Sequence, residues 1–184
     1  MTTATQKLIT AEEFARMPNP PDGSQQELVR GAIITMPPPG ARHSACCSRI
    51  NRRLATFVED NDRGTVFAND TGFITERDPD TVRGPDVSFW SREKLPDVPV
   101  GYIEVAPDLV VEVVSPGDHY ARIQKKVKHY LEKGVRLIWV ADPEDRSVTI
   151  YRNGETMRIL SENETLTGED VLPGFTCRVR DLFA

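Results

Sequence analysis

The chain has 184 residues, 39% hydrophobic and 28% charged, which fits one globular domain (1–184) with a real apolar core. It has no run of 18 apolar residues and no signal-peptide pattern, so it reads as soluble and cytoplasmic with no membrane partner. A net charge of -5 weighs against a broad nucleic-acid-binding face, and three cysteines exclude a disulfide framework.

Residues 1–9 read as a loose N-terminus. Thr10 is an N-cap with Glu13 at the capping-box position, predicting a short helix through Met17 that Pro18, Pro20 and Pro21 end. Residues 27–36 read as a strand, a tight turn at Arg30-Gly31 and a returning strand, closed by Pro37-Pro38-Pro39-Gly40. From 42 to 60 the apolar positions Cys46/Cys47, Ile50, Leu54, Phe57 and Val58 keep helical spacing, with Arg49, Arg52 and Arg53 off the stripe. His43 packs or caps at the start of that helix, with a role in a site as the alternative.

Two short strands follow near 65–68 and 72–75, then a polar loop at 76–83. A strand at 86–90 leads into a loop with Pro96 and Pro99, and then to 109–114, a run apolar on both faces except at Glu112. Pro116-Gly117 turns the chain. Asp118 is read as the cap of a helix that buries Tyr120, Ile123, Val127, Tyr130 and Leu131 and ends at Gly134. Residues 137–141 form another core strand. A turn at 142–145 precedes a hairpin over 147–160, with Asn153-Gly154 as a type I′ signal. The tail passes through Pro173-Gly174-Phe175 into a short amphipathic piece at 179–183. Trp90 and Trp139 read as core residues, His119 and His129 as surface ones. The pattern is α/β.

Two of the core strands carry acids that an apolar layer would normally exclude. A buried carboxylate needs cationic compensation, and two on neighbouring strands suggest a metal ion. Asp108 shares a strand face with Glu112, but four residues of strand span roughly 13 Å. Oxygens sharing one magnesium each lie only about 2.0–2.1 Å from it, so those two residues cannot hold the same ion. Asp86 can approach Glu112, because paired strands lie about 4.8 Å apart. A lysine beside such a site would stabilise charge in phosphodiester hydrolysis. On the following helix Lys126 lies at one edge of the apolar stripe and Lys128 at the other.

These residues resemble a known family. Gly84-Pro85-Asp86-Val87, the run 107–116 (PDLVVEVVSP), Lys126 with Tyr130, Gly134-Val135 and the run 138–143 (IWVADP) are similar to the Uma-type restriction endonucleases of the PD-(D/E)XK superfamily. Glu27-Leu28-Val29-Arg30-Gly31 resembles the family's hairpin. The resemblance implies a restriction endonuclease-like fold, a mixed central β-sheet flanked by helices with additional β-hairpins. It also implies a homodimer that cleaves DNA with Mg2+, for which Mn2+ can substitute. Asp86 and Glu112 then match the metal-binding acids, with the Val113 backbone carbonyl as a third ligand. Lys126 matches the catalytic lysine, and Glu27 joins the acidic cluster. The superfamily's usual lysine position, two residues after the acid, is Val114 here. That departure and the acidic net charge favour an alternative, a catalytically silent relative that binds nucleic acid or a protein partner. A hydrolase of another phosphate ester is a third reading.

Overall fold

The computed structural model describes residues 7–183. Helix α1 (Ala11–Ala15) opens on a reciprocal capping box: Thr10 Oγ1 accepts the Glu13 N–H and Glu13 accepts the Thr10 N–H. It stops short of Met17. Strands β1 (Gln25–Val29) and β2 (Ala32–Met36) are joined by Arg30 and Gly31, both left-handed, as a two-residue hairpin turn requires. Helix α2 (Ala41–Asp60) buries Cys46, Ile50, Leu54 and Val58 along one stripe.

Strands β3 (Gly64–Ala68), β4 (Phe73–Glu76), β5 (Thr81–Arg83), β6 (Val87–Ser91) and β7 (Leu109–Val113) follow, then helix α3 (Tyr120–Glu132). The chain continues through β8 (Leu137–Asp142), β9 (Ser147–Tyr151), β10 (Arg158–Leu160), β11 (Thr165–Gly168), β12 (Leu172–Arg178) and a 3₁₀ turn, Val179–Leu182.

The main sheet runs β10-β9-β8-β7-β6-β3, and a smaller one runs β2-β1-β5-β4. In the main sheet only β7 and β8 are parallel, joined by α3 as the crossover such a pair needs. Alternation along the central strands sorts the core into two layers. Leu109, Val111, Val113, Leu137 and Trp139 pack with the α2 stripe, while Val110, Ile138, Val140 and Trp90 pack with Val127 and Tyr130 of α3. Phe73 of the smaller sheet joins that second layer and stacks on Tyr130, so α3 lies between the two sheets. This is the expected α/β plan, a mixed sheet flanked by helices with extra hairpins.

Several local expectations are corrected. Residues 76–83 are not all loop: Val82 is buried and pairs with Leu28, so β5 links the two halves of the smaller sheet. Asp118 does not cap α3; its carboxylate accepts the Ser115 N–H within the preceding turn, and His119 is the N-cap. Tyr120, the first residue of that helix, is exposed. Asn153-Gly154 does not make a two-residue turn, because β9 and β10 leave a loop at 152–157. Residues 165–178 hold the hairpin β11–β12, whose inward Leu166, Leu172, Phe175 and Cys177 close the α2 side of the core. His129 is half-buried and shares a 2.8 Å hydrogen bond with Thr75 Oγ1. Of the supposedly loose N-terminus, residues 1–6 lie outside the described residues. Lys7 pairs with Glu13, and Ile9 donates its N–H to the Gly31 carbonyl. Among the described residues no helix is long and apolar enough to cross a membrane.

Candidate active site

The site sits where β6 begins and β7 ends. Val87 pairs with Val111, so continuing that register by one residue puts Asp86 opposite Glu112. Asp86 lies just outside β6, and its carboxylate replaces a ladder carbonyl by accepting the Val113 N–H at 2.7 Å. A strand residue's N–H and C=O leave by the same edge, so the Val113 carbonyl leaves on the Asp86 side as well. The other Asp86 oxygen lies 3.2 Å from His43 Nε2, on the first turn of α2.

Glu112 projects into the α3 layer. Tyr130 donates its hydroxyl to Oε1 at 2.7 Å, and Lys126 donates to Oε2 at 3.0 Å. The same ammonium lies 3.2 Å from Glu27 Oε1, so Lys126 bridges a carboxylate from each sheet. It is one turn before Tyr130, which places both on the inward edge of α3. Lys128 is 78% exposed and pairs with Glu132 at 3.8 Å, far from this chemistry. Glu27 is 3% exposed and is held by Arg83 at 2.6 Å. Asp108, at the start of β7, accepts the Ser91 N–H and pairs with Lys94, apart from the cluster.

The electrostatics follow from crowding. Burial pushes Glu112 up to about 7; Lys126 opposes this, while the charges of Asp86 and Glu27 add to it. Burial would lower the Lys126 pKa, but Glu112 and Glu27 together outweigh that, so the amine stays charged. For Glu27 burial acts upward, yet the charges of Lys126 and Arg83 hold it below its ordinary value. Burial acts against the charged form of His43, and the Asp86 carboxylate reverses the balance and raises it.

One acid has no counterpart in the sequence reading. Asp70, in the loop between β3 and β4, is pushed up to about 6 by burial and by the charge of Asp86. It accepts a hydrogen bond from the Gln25 amide and borders the same cleft as Asp86, Glu112 and Lys126. Asn69 and Asp70 are both left-handed, with φ of 57° and 56°, a conformation that Asn and Asp tolerate best among residues with a Cβ. The loop comes this close because Gly84 lacks a side chain: a Cβ there would lie 2.5 Å from the Asp70 carbonyl oxygen. A lone Asp in a loop carries no periodic signal, and only the glycine hinted at a close approach. The Tyr130 hydroxyl was equally hidden, since a tyrosine on an apolar stripe reads as core.

The cleft has a volume of about 590 Å³, with Asp70, Asp86, Glu112 and Lys126 on its floor and the Pro37-Pro38-Pro39 arm along one wall. Residues 11–180 match the family model described as Uma2, "Putative restriction endonuclease". The chain belongs to the Uma2 family. It is also similar to the crystal structure of "a putative nuclease belonging to DUF820 from Anabaena variabilis ATCC 29413", with a TM-score of 0.79 and 24% identity. That match covers 95% of this chain and 97% of the other. A comparison with curated proteins finds no match. Membership of Uma2 supports a nuclease function, and the similarity of structure establishes the fold.

Proposed function

We propose that this Uma2 protein is a magnesium-dependent DNA endonuclease of the PD-(D/E)XK type. The observation that carries the reading is the convergence of Asp86, Glu112 and Lys126 on the floor of one open cleft. The donor set fits a hard cation. Glu27, Asp70, Asp86 and Glu112 crowd together against Lys126 and Arg83, and burial, with the charge of neighbouring acids, drives Asp70 and Glu112 toward protonation. Asp86, Glu112 and the Val113 carbonyl would hold Mg2+, or Mn2+ in its place, since both accept all-oxygen ligands. Held there, the ion would supply Lewis-acid polarisation of the phosphodiester and lower the pKa of a bound water.

The remaining work falls to the chain. Lys126 is fixed by Glu112 and Glu27 at 3.0 and 3.2 Å and remains an ammonium, so it donates hydrogen bonds and does not act as a base. From there it orients the attacking water and stabilises charge on the pentacoordinate phosphorus. Tyr130 and Lys126 between them fix both oxygens of Glu112, and His43 and the Val113 N–H fix those of Asp86. Preset donors of this kind need no reorganisation during the reaction. In-line attack would release a 5′-phosphate and a 3′-hydroxyl. Val114 at the superfamily's usual lysine position is compatible with this, because Lys126 brings its amine in from α3. The resemblance further supports a homodimer acting in the cytoplasm, which light scattering and fractionation would test.

The decisive assay is nicking of supercoiled plasmid with magnesium or manganese. Wild type cuts, chelation abolishes cutting, and Glu112→Gln loses at least about a hundredfold. Equal activity in the two proteins would reject the assigned site. Inactivity of a folded, magnesium-binding wild type would favour the silent nucleic-acid-binding or partner-binding relative.

A further inference from the structure

We propose that His43, Cys47 and Asp86 form a second metal site, one that takes a soft transition ion of the zinc class and competes with magnesium for Asp86. The site itself stands on geometry alone; the competition rests on the magnesium reading above. His43 and Cys47 are four residues apart on α2, so their side chains lie on one helix face. His43 Nδ1 lies 3.5 Å from Cys47 Sγ, and His43 Nε2 lies 3.2 Å from Asp86 Oδ1. A ring nitrogen, the sulfur and a carboxylate oxygen all fall within 4.8 Å of one another.

Zinc bonds of about 2.0–2.1 Å to nitrogen and oxygen and about 2.3 Å to sulfur give tetrahedral edges of roughly 3.3–3.6 Å for this donor set. The three donors, within 4.8 Å of one another, therefore need to draw together by at most about 1.5 Å. The ring meets Cys47 through Nδ1 and Asp86 through Nε2, so one nitrogen ligates and the donor at the opposite ring edge swings round to reach the ion. Three protein ligands leave a fourth position open. A cavity of about 270 Å³ adjoins the cleft, shares His43, Asp70 and Asp86 with it, and extends past Cys47, Ser48 and Asn51 on the α2 side.

The donor chemistry separates the two ions. Magnesium requires oxygen ligands, whereas an imidazole and a thiolate select zinc, cobalt and their neighbours. Burial holds the Cys47 thiol well above its ordinary value and the charges of Asp86, Asp70 and Glu112 add to this, so the thiol keeps its proton until an ion displaces it; the same negative potential draws a divalent cation to the site. An ion seated on His43 and Cys47 takes Asp86 out of the all-oxygen set. Zinc then switches off a magnesium-dependent reaction.

The test is cobalt titration of the metal-free protein, followed by absorption. Wild type develops a thiolate-to-cobalt charge-transfer band that saturates at one equivalent and is erased by zinc. Cys47→Ser lacks the band, and both Cys47→Ser and His43→Gln bind zinc at least about tenfold more weakly. No band in wild type, or a band that survives in Cys47→Ser, overturns the site. Should either variant fold poorly, alkylation of wild type decides: zinc protects Cys47, and equal labelling with and without zinc overturns the proposal. For the competition, zinc inhibits nicking by wild type and not by Cys47→Ser; equal inhibition of both overturns it. If no plasmid is cut by any form, the nuclease reading fails while the cobalt result still decides the site.

Discussion

Asp108 and Glu112 lie on the same strand face at opposite ends of β7, and their surroundings differ in kind. Asp108 is 4% exposed and finds the Ser91 N–H, the Lys94 ammonium and, at 3.8 Å, the Arg136 guanidinium. Its neighbours are donors, and it closes a strand end. Glu112 has Lys126 and Tyr130, but it also has Asp86 and Glu27 pressing on it, and it borders an open cleft. Burial of a carboxylate therefore points to function only where other acids share the space and a cavity adjoins it. Where donors alone surround it, the group is part of the scaffold.

Substitutions at the two ends of β7 test that contrast most strongly. Asp86→Asn and Glu112→Gln keep side-chain shape but turn one accepting oxygen of each into a donor, so they should cut magnesium-dependent nicking by at least about a hundredfold while the protein still folds. Asp108→Ala should do the reverse. It strands the Ser91 N–H and costs about 1–3 kcal/mol in denaturant unfolding, while activity per folded molecule holds.

Lys126→Gln should lose activity on a similar scale, whereas Lys128→Ala should change stability by less than about 0.5 kcal/mol and leave nicking intact. If Lys128→Ala were the damaging change, the amine would be misassigned.

Glu27 gives the pH test. Its folded pKa lies below the ordinary 4.5, because the charges of Lys126 and Arg83 outweigh burial. The unfolded chain therefore binds the proton more readily, and the stabilisation is present above about 4.5 and lost as pH falls through the lower folded value. The stability gap between wild type and Glu27→Gln, measured by denaturant unfolding, should be widest near neutrality and close below pH 4.5. A gap that widened on acidification would contradict the assigned pairing. The smallest effect is expected at Tyr130→Phe, which removes one donor to Glu112 and should lower nicking about tenfold or less.

Much of this arrangement was legible in the sequence because it follows strand and helix periods. Asp86 and Glu112 stand out as acids in apolar runs, and the register Val87↔Val111 brings them opposite each other. Lys126 was readable as an edge position on α3, although the helical angle alone left Lys128 in contention. What stayed hidden depends on tertiary contact. β5 is three residues long and exists because Val82 fits against Leu28. The hairpin β11–β12 is interrupted by Pro173-Gly174 and shows its inward face only once Phe175 stacks on Trp139. Asp70 reaches the cluster through a loop that depends on Gly84. His43 was legible as a packing or capping residue with a site role as the alternative, and Cys47 only as a position on the apolar stripe; the contact of His43 with Asp86 is tertiary.

The most direct test of the central claim is anomalous diffraction from a crystal soaked in manganese. The account predicts a peak within coordination distance of both Asp86 and Glu112, with the Lys126 amine beside it. A manganese ion bound elsewhere, or a site left vacant at saturating metal, would contradict it.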